Sequence, residues 1–186
     1  MHTKDLILQT AKELISEVGF HRTTTAQLAK KAGISEGTIY RHFESKEDIL
    51  LAILKELEEN YKRFISRLTA EGICERGVQP CLESHFGFVE DNAQDLKIVL
   101  ATYGILDPSK KSMAGFVNAM TDFFSGCLKS ARSAGLINDV AIHENALAIT
   151  VFLFGLMRIK LWWPDLDSEA FSNEAVQFCR RALGAA

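Results

Sequence analysis

The sequence predicts an all-α protein, with a three-helix N-terminal head over residues 1–47, a long fourth helix, and a helical body completing residues 48–186, about nine helices in all. Apolar residues return every three or four positions through most of the chain, the spacing that gathers them on one face of a helix. The β-branched residues are scattered among strong helix formers and make no convincing strand. Glycines, prolines and capping side chains recur at intervals of about one helix length, so most amphipathic stretches have a start and a stop.

Ile7, Ala11, Leu14 and Val18 give the first helix one apolar face, and Gly19 is well placed to end it in the left-handed conformation. Thr24 and Gln27 form a capping box for a second helix carrying Leu28, Ala29 and Ala32, barely two turns long before Gly33. Ser35 caps a third helix expected to run through about His42, with Ile39 and Phe43 four apart and facing back onto the first two helices. Ser45 and Asp48 repeat the capping pattern and open the long fourth helix. Its Ile49, Ile53, Leu57, Tyr61, Phe64 and Leu68 keep helical spacing to about Thr69. After a break holding Gly72, Gly77 and Pro80, the pattern predicts helices over 81–90, 96–106, 109–134, 141–163 and 168–183. Gly135 and Pro164 stop two of them.

Residues 23–46 read TTTAQLAKKAGISEGTIYRHFESK. A helix, a tight turn and a second short helix in so little sequence serve to place a helix end in a DNA groove. The third helix is the candidate reader, its leading end turned outward from Ser35. Gly37 lowers helix propensity and adds nothing to a core, so a need for close backbone approach explains it. Thr38 offers a hydroxyl or a methyl group to a base pair, and Arg41 reaches a base or a phosphate. Thr24 and Thr25 stand at a helix N-terminus, where free backbone amides favour an anion. Tyr40 and His42 each bring a donor beside the reader. Lys46, in the first turn of the fourth helix, opposes the helix dipole, a conflict that a phosphate would relieve.

This segment resembles the DNA-binding domain of the TetR family of bacterial transcriptional regulators. The likeness rests on Gly19–Phe20, the threonines 23–25, Ala32–Gly33–Ile34–Ser35, Gly37–Thr38–Ile39–Tyr40, His42–Phe43 and Ser45–Lys46–Glu47, and it covers roughly residues 4–52. The resemblance implies an all-helical dimer with two N-terminal reading heads on an operator in double-stranded DNA. It also implies a C-terminal domain that binds a small effector and thereby releases the operator. It carries Thr25, Thr38, Tyr40, His42 and Lys46 over as DNA contacts, Tyr40 and His42 chiefly to phosphates. Repression is the leading expectation and activation the alternative, because both need the same head.

A short reading helix recognises few base pairs, so a two-fold pair of heads is expected, reading a palindrome. The last two helices are the expected homodimer interface, through Ile149, Leu153, Leu156 and Lys160 on one and Phe171, Ala175 and Phe178 on the other. His85, Phe86, Val89, Tyr103, Phe116, Met120, Phe123 and Phe124 are the candidate lining of a pocket for a small, largely apolar effector.

Net charge is −3, but residues 20–46 hold five basic side chains against two acidic ones, a weakly basic head on an acidic body. No signal peptide is recognised, and the run 146–157 reads as too short to span a bilayer, so no membrane partner is expected and a cytoplasmic location follows. Cys74, Cys81, Cys127 and Cys179 lack paired spacing and are expected as free thiols. Cys81 and His85 lie four apart, but no third or fourth ligand follows at useful spacing, so neither metal nor cofactor is expected. HExxH, GxSxG, GxGxxG and GxxxxGK[ST] are all missing, which leaves a small helical enzyme as a remote alternative with no catalytic residue to name.

Overall fold

Capping side chains mark where the second, third and fourth helices begin. The computed structural model describes residues 2–102, 107–163 and 167–184, and these hold nine α-helices and one 3-10 turn. Helix α1 (Thr3–Val18) ends at Gly19, whose φ of 83° is positive but whose ψ of 156° is extended, not the left-handed helical value expected. Helix α2 (Thr25–Ala32) starts in a complete capping box: Gln27 N donates to Thr24 Oγ1 at 3.2 Å and Thr24 N donates to Gln27 Oε1 at 3.0 Å. It closes at Gly33, φ 67° and ψ 29°, a true left-handed cap.

Helix α3 (Glu36–Tyr40) is capped by Ser35 and stops short of His42. The amides of His42 and Phe43 both turn back to Ile39 O, at 2.9 and 3.0 Å, and this shared acceptor ends the helix. Helix α4 (Lys46–Ala70) opens with Asp48 N donating to Ser45 Oγ at 3.1 Å, but Asp48 in turn accepts from Glu44 N, one residue before the position a capping box uses.

The 3-10 turn Cys74–Arg76 fills the break. Helix α5 (Val78–Asp91) begins earlier than expected because Pro80 fits the first turn, where an amide needs no intrahelical partner. Helices α6 (Ala93–Thr102), α7 (Asp107–Ser133), α8 (Ile142–Trp162) and α9 (Ser168–Leu183) follow. Leu106 and Pro164, expected at helix ends, lie outside the described residues.

The chain forms two compact units. The first comprises Met1–Glu59 and Asn92–Met113, so it contains the whole expected head and extends beyond it. Here α1 packs on α2 and α6, and α2 on α3. Ile7, Ala11, Leu28, Ile39, Phe43, Ile49 and Ile53 are buried, the apolar positions that the helical spacing selects. Lys12 is buried with them, Nζ 2.8 Å from Asp95 Oδ2 and 3.0 Å from Glu56 Oε2. Burial alone would depress this lysine, but its bonds to Asp95 and Glu56 outweigh that and hold it above the usual lysine range.

The second unit comprises Asn60–Asp91 and Ala114–Ala186. Its core is aromatic: the rings of Tyr61 and Phe116 stack at 4.2 Å, and Phe64, His85 and Phe88 close around Tyr61. Between α7 and α8, Thr121 Oγ1 donates to Thr150 Oγ1 at 3.2 Å, and each hydroxyl also meets a carbonyl of its own helix, so both are satisfied inside the core. Helix α8 corrects one expectation. Over Ile142–Ile159 it has the length and apolarity of a membrane-crossing helix, at mean hydropathy 1.4, because Glu144 and Arg158 sit near the ends of that window. Ala146, Ile149, Leu153, Leu156 and Met157 are nevertheless buried against the protein, as in the core helix of a folded domain.

Candidate DNA-reading head and apolar cavity

The head is tied together by its own polar side chains. Thr25 Oγ1 donates to Glu36 Oε1 at 2.5 Å and lies 3.2 Å from Tyr40 Oη, so the start of α2 is fastened to α3 across the Gly33 turn. Glu36 was not foreseen in this role; eleven residues separate it from Thr25, and no helical periodicity relates positions on two helices. Ser35 Oγ accepts from Thr38 N at 3.1 Å and lies 2.8 Å from Thr38 Oγ1, which also accepts from Arg41 Nη2 at 3.3 Å. Thr24, Ser35, Gly37, Tyr40, Arg41 and His42 are exposed, while Thr25 and Thr38 are half-buried. A Cβ added at Gly37 would meet nothing nearer than Ser35 Oγ, 3.8 Å away, so packing within the chain does not require glycine there.

Lys46 stands in the first turn of α4 and is fastened to the chain's own carbonyls. Its Nζ donates to the carbonyls of Phe20, His21 and Thr23 at 3.3, 3.3 and 3.2 Å and stands 4.8 Å over the Phe20 ring. Three carbonyl dipoles thus relieve the conflict with the helix dipole that a phosphate was expected to relieve. Lys31 is likewise engaged, its Nζ 2.6 Å from Glu17 and 3.5 Å from Glu13. The basic face of the head is carried by Arg22, Lys30 and Arg41, which are exposed.

In the second unit, His85, Phe86, Phe88, Val89, Phe116, Met120, Leu153 and Met157 enclose an apolar cavity with about 10 Å³ of free space, roughly what one water needs. Five of the expected pocket residues line it: His85, Phe86, Val89, Phe116 and Met120. Phe123 instead lines an open groove between α4 and α7, with Ile65, Thr69 and Asp122. Phe124 is fully buried with its ring 4.8 Å from His85, and Tyr103 lies outside the described residues. Phe88, Leu153 and Met157 complete the lining, and they read equally well as ordinary core.

His85 is the polar group of this wall. Its Nδ1–H donates to Cys81 O at 2.7 Å, which leaves Nε2 to accept from Tyr61 Oη at 3.0 Å. Burial pulls its pKa down to about 4, the bond to Cys81 O only partly opposing, so the ring is neutral at pH 7. Burial also raises Tyr61, which stays a phenol and a donor.

Two further expectations change. Ile149, Leu153, Leu156 and Ala175, assigned to a dimer interface, are buried within the one chain. The apolar surface left open on α8 and α9 is carried by Leu147, Val151, Ile159, Trp162 and Phe178, with Phe178 packed on Phe152 at 5.1 Å between ring centroids. Phe171 is half-buried, and the Lys160 side chain lies outside the described residues. Helix α8 is apolar on every side, so spacing alone could not tell its inner face from its outer one. The cysteines are not all free: Cys74 and Cys127 form a disulfide, S–S 2.18 Å, leaving Cys81 and Cys179 as buried thiols.

Comparison with known proteins places this geometry. The family described as Bacterial regulatory proteins, tetR family, matches residues 7–53. The fatty acid metabolism regulator protein of Bacillus subtilis (strain 168) is 42% identical over 62 residues, 33% of this chain and 30% of that protein. The HTH-type transcriptional regulator UidR of Escherichia coli (strain K12) is 28% identical over 178 residues, 93% of this chain and 86% of that one. Among solved structures, the fatty acid degradation regulator FadR from Bacillus halodurans superposes with a TM-score of 0.80 at 20% identity, covering 100% of this chain and 99% of that one.

Proposed function

Because the chain carries the fold of TetR-family regulators and the sequence motif of their reading head, we infer that it is a repressor that binds a palindromic operator as a homodimer and releases it when a small, largely apolar effector enters the C-terminal domain. We divide the chain for this purpose into a DNA-binding domain, 1–47, and an effector and dimerisation domain, 48–186.

The observation that carries this reading is the exposed leading end of α3. Ser35 caps it, Thr25, Glu36 and Tyr40 brace it against α2, and Gly37 keeps the surface free of a side chain. In this reading Thr38 reads a base, and Arg41 reaches a base or a phosphate. Thr24, Thr25, Tyr40 and His42 hold phosphates. Lys46 is placed beside the phosphates too, acting through its charge, since its three N–H groups are taken by the carbonyls of Phe20, His21 and Thr23.

Dimerisation through α8 and α9 is supported by their open apolar surface, Val151 being 61% exposed and Phe178 54%. Phe171, half-buried on α9, is included in this interface. The effector class is supported by the purely apolar walls of the cavity apart from His85, and two of the compared proteins are named as regulators of fatty acid metabolism or degradation. A cytoplasmic location goes with a role on DNA.

Footprinting on the DNA flanking its own gene tests the assignment. Tyr40→Phe is expected to weaken binding on all sequences alike with the salt dependence unchanged, because a neutral hydroxyl releases no counterion, whereas Thr38→Val is expected to erode discrimination at one base step. A protein that protects no DNA there, or protects all sequences equally, is not this regulator. For induction, equal operator affinity with and without a saturating fatty acid or acyl thioester would rule out an acyl effector.

A further inference from the structure

Three sulfurs meet in the second unit from three separate elements: Cys74 from the 3-10 turn, Cys81 from α5 and Cys127 from α7. Their Sγ atoms all lie within 4.8 Å of one another. Cys127 is the ligand that sequence spacing could not supply, since 46 residues separate it from Cys81. A disulfide needs two sulfurs, yet Cys81 Sγ stands a third, 3.4 Å from Cys127 Sγ. Neither the reading head nor the cavity lining uses any of the three sulfurs.

Soft thiolates select soft ions, and three converging thiols leave the valence of the ion to be decided by charge. Cys81 and Cys127 are fully buried, so a complex with net negative charge is costly there. The Cys81 thiol hydrogen points to the carbonyls of Gly77 at 3.4 Å and Ile73 at 3.8 Å, as a neutral thiol's does. Three thiolates around a monovalent or divalent ion carry excess negative charge. Around a trivalent one they carry none.

We propose that the reduced cluster of Cys74, Cys81 and Cys127 binds a trivalent metalloid of the arsenite class as a neutral tris-thiolate. The disulfide is first opened by a dithiol: the bridge takes two electrons and two protons, Cys74 and Cys127 become thiols, and the dithiol becomes its own disulfide. Arsenous acid then exchanges its three hydroxyl groups for the three sulfurs. Three As–O bonds break, three As–S bonds form, each thiol proton leaves with a hydroxide as water, and arsenic stays trivalent. Cys74, half-buried on the turn, is the point of entry.

The full chain, reduced with a phosphine and freed of it without air, is titrated with arsenite while the sulfur-to-arsenic absorption in the ultraviolet is followed. Saturation at one arsenite per chain is expected, with a native mass higher by one arsenic less three hydrogens. Cys81→Ser and Cys74→Ser are each expected to weaken binding at least tenfold, and Cys179→Ser to leave it unchanged. Absence of saturable binding in the reduced protein overturns the proposal, as does wild-type affinity in Cys81→Ser, which would mean a two-thiol contact only. If Cys81→Ser does not fold, Cys74→Ser on the half-buried turn decides the matter in the same two directions.

Discussion

Lys12 Nζ on α1 lies 2.8 Å from Asp95 Oδ2 on α6, and both residues are buried, so a buried charge pair takes part in joining these two helices of the first unit. Removing one member leaves the other without its charge partner, a change that costs more than the pair contributes. Lys12→Met is expected to lower unfolding stability by about 3 kcal/mol. The double variant with Asp95→Leu is expected to recover most of that. Urea midpoints of the two variants check this; a double variant no better than the single one would show that the uncompensated carboxylate is not the cause.

Gly33 and Gly37 stand four residues apart, and only Gly33 is required by its backbone conformation. At Gly33 an added Cβ meets nothing within 4 Å, but φ is 67°, so Gly33→Ala is expected to lose about 1 kcal/mol through backbone conformation alone. Gly37 lies in α3, and Gly37→Ala is expected to gain up to about 1 kcal/mol in thermal stability while losing at least tenfold in operator affinity. An alanine variant at Gly37 that is more stable and binds DNA normally would remove the close-approach explanation of this glycine.

For Lys46, the three carbonyl bonds predict a structural cost as well as a binding one. Lys46→Met keeps the stem over the Phe20 ring but strips the carbonyls of Phe20, His21 and Thr23 of their donor, and about 2 kcal/mol of stability is expected to go with it. A lysine acting on phosphate alone would leave the melting temperature where it was.

His85 gives a pH dependence of definite sign. Its folded pKa, about 4, lies below the ordinary value of 6.5, so the unfolded chain takes up the proton first. Its contribution is fully present above pH 6.5 and fades as pH falls toward 4. At pH 5 the loss is about 2 kcal/mol relative to pH 7. In His85→Gln this part of the slope is expected to vanish, which urea titrations at pH 7 and pH 5 on both proteins would reveal.

What could be read in advance follows the range of the interactions involved. Thr24 with Gln27, Gly33 and Ser35 act on backbone within four residues of themselves, and the start and end of α2 and the start of α3 were legible from them, whereas the early end of α3 at Tyr40 was not. The Thr25–Glu36 and Lys46–carbonyl contacts join residues 11 to 26 positions apart, and only folding reveals such partners. The faces of α8 were illegible for another reason: apolar on all sides, it offers no polar edge from which to orient Ile149 inward and Val151 outward. Cys127 met Cys74 and Cys81 through α7, a relation that no local motif encodes.

The cavity beside His85 has consequences for affinity. With about 10 Å³ of room, its resting form is already occupied by its own walls, so the protein competes with any guest for the same space. In the proposed reading the measured grip on an effector equals the intrinsic one scaled by the fraction of molecules whose walls stand apart. Paring Phe116 down to alanine would exchange robustness for responsiveness, giving a weaker scaffold that answers to a lower dose.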